Sequence, residues 1–506
     1  MDSIKNFWLP VWIIILLRST FTVNAQEWMS LSLDYGPYKT GFRYIETSDP
    51  GRPCLSCAKS DIGYSAREME IAVWYPSEDQ ETGTMPYIQY LRLGPAGTIT
   101  DLYILKHAFF KSIAGLGGDT SLFESTFAPL FHEATRARKD RTLAKGSWPL
   151  ILYPDQPHLQ NILCEFLASH GYIVASPRIR GTFNMDLELN PGGIETGSND
   201  LDFTLGYMRS HFPVQQDFAV IGTGFNASLG LNQALKNKDL AALISLEGGI
   251  TTPFEAGLNS RSPYYDLQRC TVPMLVIHAP HPDVKPELTH RYKYSERVYQ
   301  SYPQSSEFYF LNFGLWEKKL KNIFPKANRG NTWESFEAAA GSISAYLDWK
   351  LKGNPESKAL LLKKTWPSGI VQTSIQTAVS LPPGIDTLIR LHQQNGFQPL
   401  QSLYLERRKS DHQPFAFNTF YQISQHLIGR GEFRQALEWA GFYAETFPQS
   451  AIPFAIQGRA QLELGDRVKA KILYEKAIAL LPADSELNDG EKSYFRETIE
   501  GRIRSL

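Results

Sequence analysis

The sequence predicts a doubly wound α/β domain with a mostly parallel sheet, followed by an all-α domain of helical repeats. Three observations support this prediction. Between residues 148 and 349, short apolar strands alternate with helical segments, a pattern typical of parallel βαβ units buried on both faces. One of these strands, Phe218–Ile221, runs through a glycine-punctuated turn directly into a helix. After residue 385, similar residues recur at a spacing of 34, as in stacked helix pairs.

The length and composition describe a globular protein of more than one domain. At 506 residues, the chain exceeds what one ordinary hydrophobic core accommodates. Its 42% hydrophobic and 20% charged residues are typical of a globular chain. The formal net charge of -1 provides no electrostatic attraction to nucleic acid or to an anionic membrane. We therefore expect no nucleic acid as a partner.

The N-terminus has the features of a secretory signal peptide. An apolar run, Phe7–Leu17, follows a basic residue, and the small residues of Val23-Asn24-Ala25 suit a signal peptidase. The alternative is a membrane anchor, but Pro10 interrupts the run, which is shorter than the roughly 20 residues that cross a bilayer. We expect cleavage after Ala25, removal of residues 1–25, and a secreted mature protein without a membrane span.

The four cysteines then belong to an oxidising compartment. Cys54 and Cys57 stand in a loop rich in Pro, Gly and Ser, which favours a structural disulfide over a redox pair at the start of a helix. Cys164 is most simply a small buried helix residue. The sequence leaves the full pairing, including Cys270, open. It predicts no metal site, since no second close Cys/His pair is present, and it indicates no cofactor.

The elements before the alternating region are fewer. Glu68–Tyr75 alternates between polar and apolar residues, as an antiparallel strand does. Residues 86–146 have no clean period, apart from a helical pattern in Leu102–Leu116 and a basic segment, Arg136–Lys145. We interpret 86–146 as an insertion or cap of the α/β domain, with its basic residues on a solvated face.

From Trp148 onward, predicted strands and helices follow one another in a regular order. In such a sheet, functional sites form at the carboxyl ends of the strands. The predicted strands are Trp148–Pro154, Tyr172–Ser176, Phe218–Ile221, Ala241–Leu246, Pro273–His278 and Glu307–Asn312, and the predicted helices are Asn161–His170, Leu201–Ser210, Ala227–Leu235, Arg291–Tyr302 and Phe336–Trp349.

The turn after Phe218–Ile221 matches a nucleophile elbow except at its apex. In the elbow, G-x-S-x-G, a serine stands on a strained strand-to-helix turn between small residues. Here Gly222 and Asn226 are the flanking residues and Gly224 occupies the apex, so no side chain is available to attack a substrate.

These segments together resemble the α/β-hydrolase superfamily, in particular its secreted dienelactone-hydrolase and platelet-activating-factor-acetylhydrolase-like esterases. The resemblance extends over residues 35–351 and implies an α/β-hydrolase fold for residues 26–352. It is carried by the elbow-like Val220–Ser228, by Leu163–Pro177 and Val272–Pro280, and by the upstream Tyr35–Arg52 and Ile71–Ser77.

The resemblance implies a serine nucleophile, a histidine base, an acid and backbone oxyanion donors. Neither Thr223 nor Ser228 replaces the serine, because one neighbours the apex and the other lies inside the predicted helix. The acid would be Glu247, at the end of the strand after the elbow, or Asp283, in the loop after the following strand. Either carboxylate is as readily explained as a loop residue when no histidine is present to be oriented.

The histidine base is missing from its expected place. It should follow the last strand of the sheet, but the segment Phe313–Lys318 contains no histidine. His278, His281 and His290 stand too early in the chain for the order serine, acid, histidine.

The expected oxyanion loop, Pro154–His158, is also unsuited to its task. Its prolines have no N–H to donate, and the carboxylate of Asp155 would repel a developing negative charge. Loss of nucleophile, base and oxyanion loop together indicates a catalytically degenerate hydrolase, acting in ligand or protein binding or in scaffolding. One alternative is an active serine-type esterase or lipase of the same class with a rearranged site. Another is a domain that only holds the repeats in place.

The C-terminal part, 386–506, follows a predicted linker over residues 353–385. An offset of 34 residues aligns Gly431 with Gly465 and Ala436 with Ala470, which resembles the tetratricopeptide repeat. The resemblance implies a groove for a protein or peptide partner, and the combination with a hydrolase-like domain resembles periplasmic proteins of Gram-negative bacteria. The alternative is a short solenoid that stabilises the α/β domain. The predicted copies are Ala416–Ser450 and Ala451–Asp484, with Leu388–Leu405 and Glu491–Ser505 as caps.

Overall fold

The computed structural model describes most of the chain in two compact units, divided between Ala378 and Val379. The predictions for the signal peptide 1–25, for Cys57 and for a helix over Leu102–Leu116 concern residues outside the described part. The described residues are 28–55, 65–79, 81–93, 129–183, 186–305, 307–317, 332–362, 366–367 and 369–506.

In its described part, the first unit is built on one ten-stranded sheet with the order β10-β9-β8-β7-β6-β4-β5-β2-β1-β3. The six strands from β5 to β9 along this order are mutually parallel, whereas β2 joins β5, and β10 joins β9, in antiparallel pairs. The predicted doubly wound, mostly parallel sheet is therefore confirmed. The strands are β1 Lys39–Pro53, β2 Ala66–Ser77, β3 Ala137–Lys139, β4 Trp148–Leu152, β5 Ile173–Pro177, β6 Val214–Thr223, β7 Leu240–Leu246, β8 Met274–His278, β9 Arg297–Ser301 and β10 Gln372–Gln376.

Helices cover both faces of this sheet because successive strand residues point to opposite sides. In β6, Ala219 and Ile221 join one buried cluster, and Phe218 and Val220 join the other. The first cluster includes residues of the helices Pro157–Ser169 and Thr332–Leu351, and the second includes residues of the helices Pro191–His211 and Asn226–Lys236. The helices of this unit are α1 Ile88–Leu91, α2 Pro157–Ser169, α3 Pro191–His211, α4 Asn226–Lys236, α5 Pro253–Asn259, α6 Phe313–Trp316, α7 Thr332–Leu351 and α8 Pro355–Leu362.

Two predicted elements between β8 and α7 are wrong. The predicted helix Arg291–Tyr302 contains strand β9, and the predicted strand Glu307–Asn312 begins with a 3-10 helix, Glu307–Phe310. In β9, Val298 packs on one face of the sheet and Tyr299 on the other, and the backbone pairs with β8 and β10. This tertiary pairing overrides the local helical pattern. The last parallel strand therefore ends at Ser301, and residues 302–331, which precede α7, contain no histidine.

The chain departs from the prediction at two domain boundaries as well. The predicted linker 353–385 contains helix α8 and edge strand β10, because Leu361 and Ile370 are buried in the core of the first unit. The predicted insertion 86–146 contributes β3, which pairs with β1, while its residues 94–128 lie outside the described part.

The second unit, Val379–Leu506, consists of helices with its own apolar clusters. The predicted offset is observed: Gly431 and Gly465 both end a turn between paired helices with positive φ, +76° and +89°, and Ala436 and Ala470 are both fully buried. None of the helices in the described ranges combines the length and apolar character that a membrane crossing requires. The helices are α9 Ile385–Asn395, α10 Phe397–Arg407, α11 Phe417–Gly429, α12 Phe433–Thr446, α13 Ile452–Glu463, α14 Arg467–Leu480 and α15 Asp489–Arg504.

Candidate functional site

The connection from β6 to α4 has the geometry of a nucleophile elbow. Strand β6 ends at Thr223 and α4 begins at Asn226, so only two residues separate them. Gly224, at the apex, has a left-handed φ of +53°. Its N–H donates to the carbonyl oxygen of Leu246 at 2.7 Å, and its own carbonyl accepts from Ala227 N at 3.1 Å. The predicted strand-to-helix turn is present, and its central residue is a glycine, which adopts this conformation without the strain that a Cβ atom would bring.

Packing requires small residues around the apex but not at the apex itself. A Cβ atom on Gly222 would lie 2.4 Å from Ala227 Cα, and one on Gly249 would lie 2.4 Å from Ala227 Cβ. On Gly224, by contrast, the nearest atom to an added Cβ is the carbonyl oxygen of Glu247, at 3.9 Å. The site has room for a side chain at the apex. The neighbouring atoms are therefore not the reason why residue 224 lacks a side chain.

Three polar side chains lie beside the apex, where β4 and β6 end. The hydroxyls of Tyr153 and Thr223 are 3.1 Å apart, and Thr223 lies close enough to Asp155 to lower the pKa of that carboxyl. Either hydroxyl of the Tyr153–Thr223 pair can be the donor, whereas the Asp155 carboxylate can only accept. Sequence reasoning treated Asp155 and Thr223 as unrelated, because only the pairing of β4 with β6 brings them together.

Burial raises the pKa of Asp155 from 3.8 to about 6, although hydrogen bonds from Gln156 N–H and Thr223 act to lower it. Asp155 is therefore mostly ionised at neutral pH, and the predicted repulsion of an oxyanion applies to this carboxylate. The side-chain amide of Asn226 donates to Pro154 O at 2.7 Å, which fastens this loop to the elbow.

The candidate acid Glu247 stands next to the elbow and is tied to the backbone of the neighbouring strand. Its carboxylate accepts from Ala279 N–H, and its own N–H donates to Ile277 O at 2.9 Å. Glu247 is buried and has a positive φ of +54°, which is unusual for a residue with a side chain. These contacts position the sharp turn into Gly248. The Cα atom of Gly248 lies against Gly224.

The other candidate acid, Asp283, lies in an exposed loop. Its side chain is 79% exposed and is 3.8 Å from His281, which is also largely exposed. Within the described ranges, neither residue hydrogen-bonds to the elbow. His278 is half-buried at the end of β8, and burial lowers its pKa. The histidine at 290 instead approaches the amide of Gln376 on strand β10, at 3.1 Å.

Sequence reasoning missed a buried histidine at the start of α2. His158 is fully buried, and among the described residues neither ring nitrogen has a hydrogen-bond partner. Burial, together with the positive charge of Arg178, lowers its pKa from 6.5 to about 3, so the ring is neutral. The signal in the sequence is a histidine six residues after the end of β4, within the expected oxyanion loop.

Sequence reasoning also missed a buried carboxyl group in α2. Glu165 is fully buried and accepts from Tyr90 Oη at 2.7 Å, Asn161 Nδ2 at 3.0 Å and Arg136 N at 2.7 Å. Burial raises its pKa from 4.5 to about 7 despite these donors. The signal is a single acidic residue within the otherwise apolar run Leu163–Ala168.

The cysteines fall into two groups. Cys54 is disulfide-bonded, whereas Cys164 and Cys270 are buried free thiols.

In the described part of the chain, no three His, Cys, Asp or Glu side chains come close enough to hold a metal ion.

Sheet order, the β6–α4 elbow and the helices on both faces define an α/β-hydrolase fold with a C-terminal helical unit. Similar solved structures include a ferulic acid esterase from Streptomyces cinnamoneus. It is 17% identical, covers 68% of this chain and 98% of its own, and superposes with a TM-score of 0.49. A likeness at this level provides no argument about substrate. No protein-family model matches the chain. A comparison with curated proteins also gives no match.

Proposed function

We propose that this protein is a catalytically degenerate α/β-hydrolase that works in ligand or protein binding. The observation that carries the proposal is the elbow itself: Gly224 has the backbone conformation of a nucleophile position and space for a side chain, yet has none. No histidine is available between β9 and α7, and Asp155 places a negative charge beside the apex. An acyl-transfer site needs the opposite charge at the point where an oxyanion develops.

We further propose that the protein acts outside the cytoplasm, in the periplasm or as a secreted protein. The N-terminal pattern of residues 1–25 supports this location. The disulfide at Cys54 supports it independently, because such bonds persist in oxidising compartments.

In this proposal the C-terminal unit is the element that engages a protein or peptide partner. Its paired helices recur at an offset of 34 residues, as tetratricopeptide-type repeats do. Stacked helix pairs of this kind present continuous surfaces to partners.

One specific observation favours a second candidate, an esterase with a rearranged site. Thr223 lies beside Asp155, whose pKa of about 6 suits a general base. In that case the Thr223 hydroxyl oxygen would attack an ester carbonyl while its proton passes to Asp155; the ester C–O bond would then break, the departing alcohol would take that proton, and water would hydrolyse the acyl-threonine.

Fluorophosphonate labelling of the full chain, followed by peptide mass spectrometry, separates the two candidates. We expect no stoichiometric adduct in a sample run beside a labelled control esterase. An adduct on Thr223 that disappears in Thr223→Val would support the rearranged site, and an adduct on a serine would refute the degenerate assignment. Gly224→Ser should also remain unlabelled, since no histidine activates the new hydroxyl.

A further inference from the structure

A groove in the C-terminal unit, here called the arginine groove, lies between the first helices of the two repeats and the last helix of the chain. Its cavity volume is about 70 Å³, below the range of about 300–1,000 Å³ that enclosed small-molecule sites occupy, so it is a shallow surface groove. Helices α11 and α13 line one side and α15 the other, with one residue from α14. The lining residues are Tyr421, Gln425, Ile452, Ala455, Ile456, Arg459, Tyr474, Phe495, Thr498, Ile499 and Arg502.

Two guanidinium groups provide the only charge among these lining residues. Arg459 and Arg502 are both half-buried, and no described residue in the lining is acidic. Arg502 Nη1 donates to Tyr474 Oη at 3.3 Å. Arg459 makes no hydrogen bond or ion pair with any residue in the described part of the chain. Half-buried guanidinium groups without a carboxylate partner are stabilised by an incoming anion.

The repeat itself shows that this charge is not needed for packing. The residue 34 positions before Arg459 is Gln425, which lines the same groove from the equivalent helix of the first repeat. The first repeat therefore packs with the neutral amide of Gln425 at this position, whereas the second repeat has the positively charged Arg459. Arg502 comes from α15, which is outside both repeats. Two independent elements thus add positive charge to one groove.

The lining also contains apolar side chains, which restrict the kind of anion that the groove can bind. Ile452, Ile456 and Ile499 are almost fully buried, so the apolar surface that the groove exposes comes from the partly buried side chains of Tyr421, Ala455 and Phe495. An inorganic anion would leave these surfaces uncovered. A peptide with apolar side chains on either side of a carboxylate would cover them and pair with both guanidinium groups, whose planar fork matches a carboxylate.

We propose that the arginine groove binds a peptide segment in which an acidic side chain is flanked by apolar residues, with the carboxylate held between Arg459 and Arg502. This inference rests on the proposed partner-binding role of the C-terminal unit. It adds the chemical class of the partner and the two residues that select it.

The test uses fluorescein-labelled pentapeptide amides with Leu, Val or Phe around a central Glu, and matched pools with central Gln or phosphoserine. Fluorescence anisotropy with the full chain should show binding of the Glu pool, at least about tenfold weaker binding of the Gln pool, and weakening by salt.

Arg459→Gln recreates the side chain of the first repeat and should lower the affinity for the Glu pool at least about tenfold without loss of helix content. Arg459→Lys should retain part of the binding, because lysine keeps the positive charge but lacks the planar guanidinium group that pairs with both carboxylate oxygens. The matched control is Arg434→Gln, an exposed residue of α12 outside the lining, which should leave the affinity unchanged.

Equal affinity for the Glu and Gln pools, absence of binding, or an unaltered affinity in Arg459→Gln would overturn the proposal. Tighter binding of the phosphoserine pool would assign the groove to a phosphopeptide instead. These outcomes are independent of the elbow: a fluorophosphonate adduct with intact, arginine-dependent peptide binding would refute the degenerate hydrolase and leave the groove assignment standing.

Discussion

Gly224 adopts a left-handed backbone conformation, φ +53°, where a hydrolase of this fold carries its nucleophile. A residue with a Cβ atom pays about 1–2 kcal/mol for this conformation, and enzymes retain such strain because the site needs it. Glycine removes the strain together with the nucleophile. The same residue therefore explains a relaxed elbow and a missing attacking group.

Gly224→Ala should lower the free energy of unfolding by about 1–2 kcal/mol, although the added Cβ meets no atom closer than 3.9 Å. Urea unfolding followed by circular dichroism measures this change. The matched control is Gly206→Ala within α3, where φ is not positive and no atom lies within 4 Å. That substitution should stabilise by about 0.5–1 kcal/mol. Equal effects at both glycines would contradict the assigned strain.

Glu165 makes stability depend on pH. Its pKa rises from 4.5 when unfolded to about 7 in the native state, so the native state holds the proton more tightly. Its stabilising contribution is full below pH 4.5 and is lost as the pH rises to 7, a change of up to about 3 kcal/mol.

Glu165→Gln should remove this pH-dependent loss. The readout is the difference in unfolding free energy between wild type and variant, because His158 acts in the opposite sense. Its pKa is lowered from 6.5 to about 3, so its contribution is lost as the pH falls below 6.5. A wild-type minus variant difference that stays constant between pH 4.5 and 7 would show that Glu165 is not the responsible group.

At the scale of elements, strand β9 and the helical repeats differ in what determines them. Pairing with distant strands determines β9, whereas the local sequence determines the repeats. The segment Arg297–Ser301 is a strand because β8 and β10 pair with it on both sides. The paired helices α11–α12 and α13–α14, in contrast, recur where the sequence repeats, since each turn contains its own glycine. The prediction of a helix over Arg297–Ser301 is wrong because the structure of this segment depends on these non-local partners.

Asp484 fastens the end of the second repeat to the junction between the repeats. This buried carboxylate accepts from Ser450 Oγ at 2.9 Å and Ala451 N at 2.8 Å. Asp484→Ala would leave both donors unsatisfied and should destabilise the C-terminal unit by about 2–3 kcal/mol. Hydrogen exchange in α13 and α14 at increasing denaturant concentration provides the measurement. Exposed Asp489, at the start of α15, is the control, and its change to Ala should cost below about 1 kcal/mol.

At the scale of the whole molecule, the sheet separates two apolar clusters in the first unit. Cys164 belongs to the cluster under α2 and α7, and Cys270 to the cluster under α3 and α4. Each thiol therefore reports on the integrity of one face of the sheet.

We expect neither thiol to react with a maleimide in the native protein. Burial raises the pKa of Cys164 well above its usual range and that of Cys270 to about 12, and only the exposed thiolate reacts readily. Peptide mapping should find both labelled after denaturation. If one cysteine is labelled under native conditions and the other is not, the corresponding face opens independently of the rest of the fold.

The sequence predicted more of the fold than of the site. Regular alternation from Trp148 to Leu246 was sufficient for the sheet, and the elbow with Gly224 at its apex followed from five consecutive residues. The Tyr153–Thr223–Asp155 network was not predictable, since its members are up to 70 positions apart. The burial of His158 and Glu165 was not predictable for the same reason, because the residues that surround them come from several elements.

The sequence by itself therefore determined what depends on neighbouring residues: the alternation of strands and helices, the glycine at the apex, the absence of a following histidine, and the 34-residue repeat. Only the tertiary structure decided what depends on distant ones. It made Arg297–Ser301 a strand, drew the supposed linker into the sheet as β10, and brought Arg459 and Arg502 into one groove. Local patterns record backbone preferences and the period of burial, whereas pairing, charge environment and cavities arise only when remote segments meet.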